Sequence, residues 1–331
     1  IVFLGKGPLP NPGGSTGHAS NFIFPVDHNK EMALLGEQSA NQYRDLELSV
    51  DSGGIEVART EERMEELNRR MTSATAWGIE AHLLSPAEVK EHVPFINEEV
   101  ILGGFYCPTV SVVDSLETGT VMRKEAIEKA GCQVFANTEV LDIETSEENG
   151  VTSVKAVVTD KGRVEAEYVV IACGVWSNRL ANMAGAYIPL APVVHQMADV
   201  GPLDILAETN NEIGYPIVRD MDTFCYERQS AGSMEVGSYG HRAIIHHPDT
   251  IPSNEEAALS PTEMPFTPDD FDDQMETAIE LMDMLGDAEI KYAINGLLSL
   301  TPDGMPCLGE TTEVRNLWSA AAVWVKEGPG M

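Results

Sequence analysis

Three shortages bound what this chain is. No run of 18 or more apolar residues occurs, and the start lacks the charged-then-apolar order of a signal peptide, so neither membrane insertion nor export is expected. Cysteine is sparse. The five thiols, at 107, 132, 173, 225 and 307, are odd in number and form no Cys-x-x-Cys pair, which argues against a disulfide scaffold and for a reducing, cytoplasmic setting. Positive charge is scarcest of all: 21 Lys and Arg stand against 53 Asp and Glu, a formal charge of −32. Such a surface repels nucleic acid and anionic membrane alike. The acids are spread along the chain rather than gathered in a tail, which predicts a solvated acidic surface adapted to high salt, where counterions screen the self-repulsion.

What is present is a large globular chain. Its 331 residues, 43% of them hydrophobic, predict about two domains with ample core. The most unusual stretch is Pro8 to Phe24, PLPNPGGSTGHASNFIF, which follows the apolar run Ile1 to Leu4. A short buried strand opening into a loop of Pro and Gly is a place where backbone approaches something closely. His18 sits in its middle. A loop imidazole is readable as solvent-exposed, or as a neutral nucleophile able to face a ligand and bond to it.

Downstream, the pattern predicts a helix over 27–46 capped by Asp27, a short strand over 55–58, and an amphipathic helix over 61–76. Ser85 and Pro86 open a further helix by cap and first-turn proline. A strand at 101–108, a helix from Asp114 to about Ala130, a β-meander, and a returning strand over 165–172 ending in Ala172-Cys173-Gly174 match the later part of a dinucleotide-binding domain. Gly174 fits two readings, a close approach to a cofactor or a plain turn into the helix near Ser177. Strand-like runs then cover 193–200, 215–219, 224–228, 234–239 and 243–246, before an acidic helix over about 268–285 with Met275, Ile279 and Met282 on its apolar side. The G-x-G-x-x-G fingerprint is absent. Ile1 to Leu4 therefore reads as the second strand of a βαβ unit whose first strand, glycine turn and helix lie outside this sequence, and the apolar run Ala320 to Val325 reads as cut short as well.

NPGGSTGHAS after a Gly-Pro-Leu turn resembles the flavin-attachment loop of the dimethylglycine oxidase, dimethylglycine dehydrogenase and sarcosine dehydrogenase group, within the D-amino-acid oxidase (DAO) family of FAD amine oxidoreductases. The resemblance continues through TAWGIEAHLLSPAEV, ILGGFYCP, VVIACGVWS, PLAPVVHQ, VGSYGHR, NGLLSLTPDGMPCLGE and AAAVWV, nearly the whole chain. It implies an α/β fold, in which an FAD-binding Rossmann-like part (1–48, 105–188 and 296–331) interleaves with a substrate domain built on an antiparallel or mixed sheet (49–104 and 189–295). It implies FAD bound covalently through His18, with Gly14, Ser15, Thr16, Val140, Ala172, Gly174, Trp176, Gly304 and Trp324 as cofactor contacts, and Lys326, Gly328 and Gly330 continuing the last loop. His195 and Tyr226 match the catalytic pair, although His195 in an apolar strand also reads as a hydrogen-bonded core histidine. Tyr239 and His241 match supporting residues. One departure stands out: Gly5-Lys6 occupies the place where the family often carries an acidic residue for the ribose.

The implied reaction is oxidative demethylation of a small N-methylated amino acid, dimethylglycine or sarcosine, through an iminium. The amine must lose its proton before its methyl carbon can give up a hydride, because an ammonium has no lone pair to stabilise the iminium; a neutral imidazole and a tyrosine hydroxyl suit that task. The electron acceptor is oxygen or an electron-transfer flavoprotein, and folate enters only through an aminomethyltransferase-like domain or subunit not present here. Two alternatives are another amino-acid oxidase of the same fold, of proline or glycine type, and a non-catalytic flavoprotein subunit of a folate-linked complex. No metal site is expected: His241, His246 and His247 lack ligand spacing.

Overall fold

The computed structural model describes residues 1–207 and 212–323. Its framework is a nine-stranded mixed sheet in the spatial order Glu263–Met264, Glu289–Leu300, Ala191–Gly201, Ser233–Ser238, Cys225–Ser230, Ile217–Asp220, Gly54–Ala58, Gly103–Cys107 and His82–Leu84. Neighbours run antiparallel except Ile217–Asp220 beside Gly54–Ala58, which are parallel. The chain thus folds as α/β, and the strand-rich middle of the sequence joins an earlier segment in one sheet.

Side chains alternate across the two faces of this sheet. One face carries Ile55, Val57, Ala198, Val200, Val218, Cys225 and Val236, packed with Phe271, Ala278, Leu281, Met282 and Leu285 into the largest core. The other face carries a cross-strand row of unlike character, Gly237, Tyr226, Arg219 and Glu56. The helix Glu61–Trp77 covers one end of this second face, because Leu67 and Ala74 recur at helical spacing and pack with Phe24, Phe105 and Ile217.

Among the described residues the remaining strands form four smaller sheets, one of them an antiparallel set of Phe22–Ile23, Ser111–Val113 and Ser49–Asp51. Val2–Leu4 pairs in parallel with Gln133–Phe135, and Val169–Ile171 with Leu317–Ala321. A meander of Val140–Glu148, Val151–Thr159 and Gly162–Glu165 stands beside them. Val140, Ile143, Val154, Ile171 and Leu317 share a second core with Ala181 of the helix Ser177–Met183 and with Ala184, which caps it.

Helix ends follow local chemistry, with one change at the first. The cap of Lys30–Asp45 is Asn29, whose Oδ1 accepts the Met32 amide at 2.9 Å. Asp27 instead closes a turn upstream by accepting the His28 amide at 2.5 Å. The other caps, Ser85 with Glu88 and Asp114, stand where the spacing places them. The 243–246 run is not a strand: Val194 and His246 amides donate to Ile244 and Pro192 carbonyls, and the next ladder bond would need an N–H that Pro192 lacks. The acidic helix is also shorter than its pattern. It runs Asp272–Leu281 between two 3₁₀ turns, Pro268–Asp270 and Asp283–Asp287, since Met282 leaves helical geometry (φ −139°, ψ 89°) to bury its side chain.

Candidate active site

The loop after the first strand crosses the second face of the large sheet. Gly14 starts a 3₁₀ turn, Ser15–Gly17, and His18 ends it. Ser15 Oγ donates to the Leu297 carbonyl at 2.5 Å, pinning the turn to the Glu289–Leu300 strand. A pocket opens where loop and sheet meet, lined by His18, Ser20, Phe22, His195, Tyr226, Tyr239 and their neighbours.

Four rings form its wall. His195 stacks on Tyr226 with centroids 5.6 Å apart and planes 5° from parallel. Tyr239 lies 4.5 Å from His195 and 5.9 Å from Tyr226, and Phe22 meets Tyr226 edge-on at 4.9 Å. Glycine makes this possible at one point in particular. A Cβ on Gly237, across the ladder from Tyr226, would come within 2.0 Å of the ring, so the phenol lies flat over bare backbone.

Charge inside the pocket is suppressed. Burial pushes His195 down to about 3, helped by the nearby His18 and His241, so the imidazole is neutral across the physiological range. Its Nε2 is a buried polar atom without a hydrogen-bond partner among the described residues, the mark of a group aimed at something else. Burial also pulls His18 down, against the opposing field of Glu263. Burial raises Tyr226 well above its ordinary value, and raises Tyr239 to about 12. Both phenols stay protonated, and the Tyr226 hydroxyl is 2.5 Å from Ser20 Oγ. Arg219, whose field acts on Tyr239, has its guanidinium 4.7 Å over the Phe24 ring and 3.6 Å from Glu56, which also accepts Arg70 at 2.9 Å.

The structure thus brings together His18, His195 and Tyr226, with Tyr239 beside them. Gly14 borders Trp176, 3.8 Å from where a Cβ would stand. Other members of the expected set lie apart. Thr16 is exposed, and its carbonyl accepts Ser115 Oγ at 2.7 Å. Val140 packs in the second core. Ala172 and Gly174 lie exposed at the carboxyl end of the Val169–Ile171 strand, Gly174 at φ +52° with open space around it. Gly304 turns the chain at φ +67°. Trp324, Lys326, Gly328 and Gly330 lie outside the described residues. Lys6 is exposed and paired with Glu139 at 2.7 Å. His241 bonds the Arg242 carbonyl through Nδ1 at 2.7 Å. No group of three metal-ligating side chains stands together among the described residues, and no helix there is long and apolar enough to cross a membrane.

Sequence reading did not single out Ser20, Thr262, Arg219 or Glu56. The last two carry a usable signal, a charged residue inside an apolar strand, in Ile-Val-Arg-Asp and Gly-Ile-Glu-Val-Ala. For Ser20 and Thr262 the partner is remote in sequence, and nothing local marks them.

A flavin ring is flat, apolar at its edge and polar in its heterocycle. An aromatic wall, an orphaned imidazole nitrogen and loop residues small enough to admit it fit such a group. The family model of FAD dependent oxidoreductases (DAO) matches residues 2–331. Mitochondrial sarcosine dehydrogenase of Mus musculus is 29% identical over 314 residues, covering 92% of this chain and 33% of that protein. Mitochondrial dimethylglycine dehydrogenase of Homo sapiens is 25% identical over 332 residues, covering 97% and 37%. The chain therefore spans about a third of the length of these relatives. Among solved structures, L-proline dehydrogenase from P. horikoshii superposes with a TM-score of 0.79 at 21% identity, over 97% of this chain and 87% of that one, a likeness of fold.

Proposed function

We propose that this chain, which belongs to the DAO family of FAD-dependent oxidoreductases, carries the catalytic site of an enzyme that oxidatively demethylates a small N-methylated amino acid, dimethylglycine or sarcosine. The observation that carries the reading is the meeting of His18, His195 and Tyr226 at one pocket. In this reading His18 holds the FAD covalently, Gly14 and Trp176 flank it, and Ala172 and Gly174 give it a strand end to approach. When bound, FAD supplies the two-electron acceptor for the methyl hydride.

The chain's own residues prepare the amine. A cation entering this low-dielectric pocket loses hydration, so the free amine is favoured over the ammonium. His195 adds no competing charge, being neutral, and presents Nε2 as a hydrogen-bonding edge. With a value near 3 it is too weak an acceptor to hold the amine proton at neutral pH, so its task is to orient the amine rather than to store the proton. Tyr226 offers a protonated hydroxyl, fixed by Ser20.

The test is anaerobic mixing of the flavin-loaded protein with dimethylglycine, sarcosine, glycine or proline while following the oxidised-flavin absorbance. Bleaching by the N-methyl substrates alone, with the demethylated amine as product, is the expected result. Bleaching by glycine or proline would replace this reading with an amino-acid oxidase of the same fold, and bleaching by none would favour a non-catalytic flavoprotein subunit.

A further inference from the structure

We propose that Thr262 and Gly296 are positioning residues for His18, Thr262 fixing the proton on its Nε2 and Gly296 admitting the ring, so that Nδ1 is the nitrogen with a free lone pair. Thr262 is fully buried. Its Oγ1 lies 3.1 Å from the Gly13 carbonyl and 3.1 Å from His18 Nε2. A hydroxyl has one proton, and a carbonyl can only accept. The proton therefore goes to Gly13, the threonine oxygen is left as an acceptor, and Nε2 must donate to it. In a neutral imidazole the other nitrogen then has no proton.

The geometry of this relay is held rigidly. Gly13 sits at φ +85°, and a Cβ there would stand 2.5 Å from Asn254 Oδ1 and 2.7 Å from Pro261 Cδ, so the segment that carries Thr262 also clamps the carbonyl it bonds. On the other side, a Cβ at Gly296 would lie 2.7 Å from His18 Cε1 and 2.8 Å from Nδ1. The imidazole thus rests against bare backbone, and any side chain at 296 displaces it. Gly296 is also the ladder partner of His195, which ties the seat of one histidine to the position of the other. Burial lowers His18 and so favours its neutral form, while Glu263 and a hydrogen bond to the residue's own backbone act in the opposite sense.

The inference deepens the covalent-flavin reading and rests on it for its consequence: the bond forms at Nδ1. The Nδ1 lone pair makes a C–N bond to a ring methyl carbon, and one C–H bond breaks. The carbon's two electrons pass to the flavin ring, with two protons, one from the methyl and one from the imidazole. Oxygen or an electron-transfer flavoprotein, the acceptor expected for the substrate reaction, would then take up both electrons and both protons and restore the oxidised ring.

The test compares wild type, Thr262→Val and Thr262→Ser of the intact protein, measuring total bound flavin, acid-stable flavin, the nitrogen that carries it, and imidazole ¹⁵N shifts of flavin-free protein. Thr262→Val should lose at least about tenfold of its acid-stable flavin, the scale of one buried hydrogen bond, while still binding flavin. Thr262→Ser should restore it, and the linkage should be at Nδ1. Equal acid-stable flavin in Thr262→Val, or linkage at Nε2, would overturn the proposal. If wild type holds no acid-stable flavin, the covalent reading fails by itself and the ¹⁵N shifts decide about Thr262. Protonated Nε2 in wild type, scrambled in Thr262→Val, would sustain it, and protonated Nδ1 in wild type would sink it.

Discussion

Tyr226 and Glu227 are neighbours on one strand and face opposite sides of one sheet. Both are almost wholly buried polar side chains, yet their surroundings differ. Tyr226 has Ser20 for a partner, a glycine beneath its ring and a pocket before it. Glu227 lies between Val218 and Val236 in the closed core, with the Cys225 thiol beside its carboxyl and no stronger donor among the described residues. Burial, with the added field of Asp220, pushes it up to about 8. A buried polar group that opens on a cavity has something to act on. One enclosed by aliphatic side chains has only a cost. The difference separates a site from a strain.

The comparison can be broken in four ways, taken from the largest effect down. Tyr226→Phe keeps the ring over Gly237 and removes the hydroxyl, so flavin reduction by substrate should slow about a hundredfold with little change in melting temperature. A larger loss of stability than of rate would make Tyr226 a core residue like its neighbour. Glu227→Gln should do the reverse, leaving turnover within about twofold and stabilising the fold by roughly 4 kcal/mol at pH 8. The sign follows from its raised value: the neutral acid's stability is fully present below 4.5 and is lost as pH rises toward 8. Denaturant melts at pH 4 and pH 8 check it, since little gain is expected at pH 4.

His195 titrates in the opposite sense. Its value lies below the ordinary 6.5, so the stability it confers as a neutral group is present above 6.5 and drains away as pH falls toward 3. The slope reaches about 1.4 kcal/mol per pH unit. His195→Gln should flatten that acid limb, visible in melts between pH 6 and pH 4. Ser20→Ala is the mildest change: with one hydrogen bond to the phenol gone, turnover should drop about fivefold and affinity for flavin should hold. An unchanged rate would leave Tyr226 positioned by its ring contacts alone.

Much of the fold could be read from local pattern, because caps and amphipathic spacing act within a few residues. Ser85, Asp114 and the 61–76 helix show this. Where two caps compete, as Asp27 and Asn29 do, the deciding factor is which carboxyl or amide reaches the third amide onward, and that is geometry rather than composition. The histidines and tyrosine of the pocket were found through family motifs, since a ring on a strand looks the same whether it faces core or cavity. What no motif carries is the support beneath them. Gly237 and Gly296 matter because of what crosses over them, Ser20 bonds a residue 206 positions away, and Thr262 bonds one 244 positions away. Such contacts exist only once the sheet has formed.

The measurement that bears most directly on the whole account is acid denaturation of the intact protein followed by gel separation under ultraviolet light. Yellow fluorescence that stays with the wild-type band and vanishes in His18→Ala is the predicted result. Flavin that runs free of the wild-type band, or a band that keeps its fluorescence in His18→Ala, would contradict the central claim that His18 holds the cofactor at this pocket.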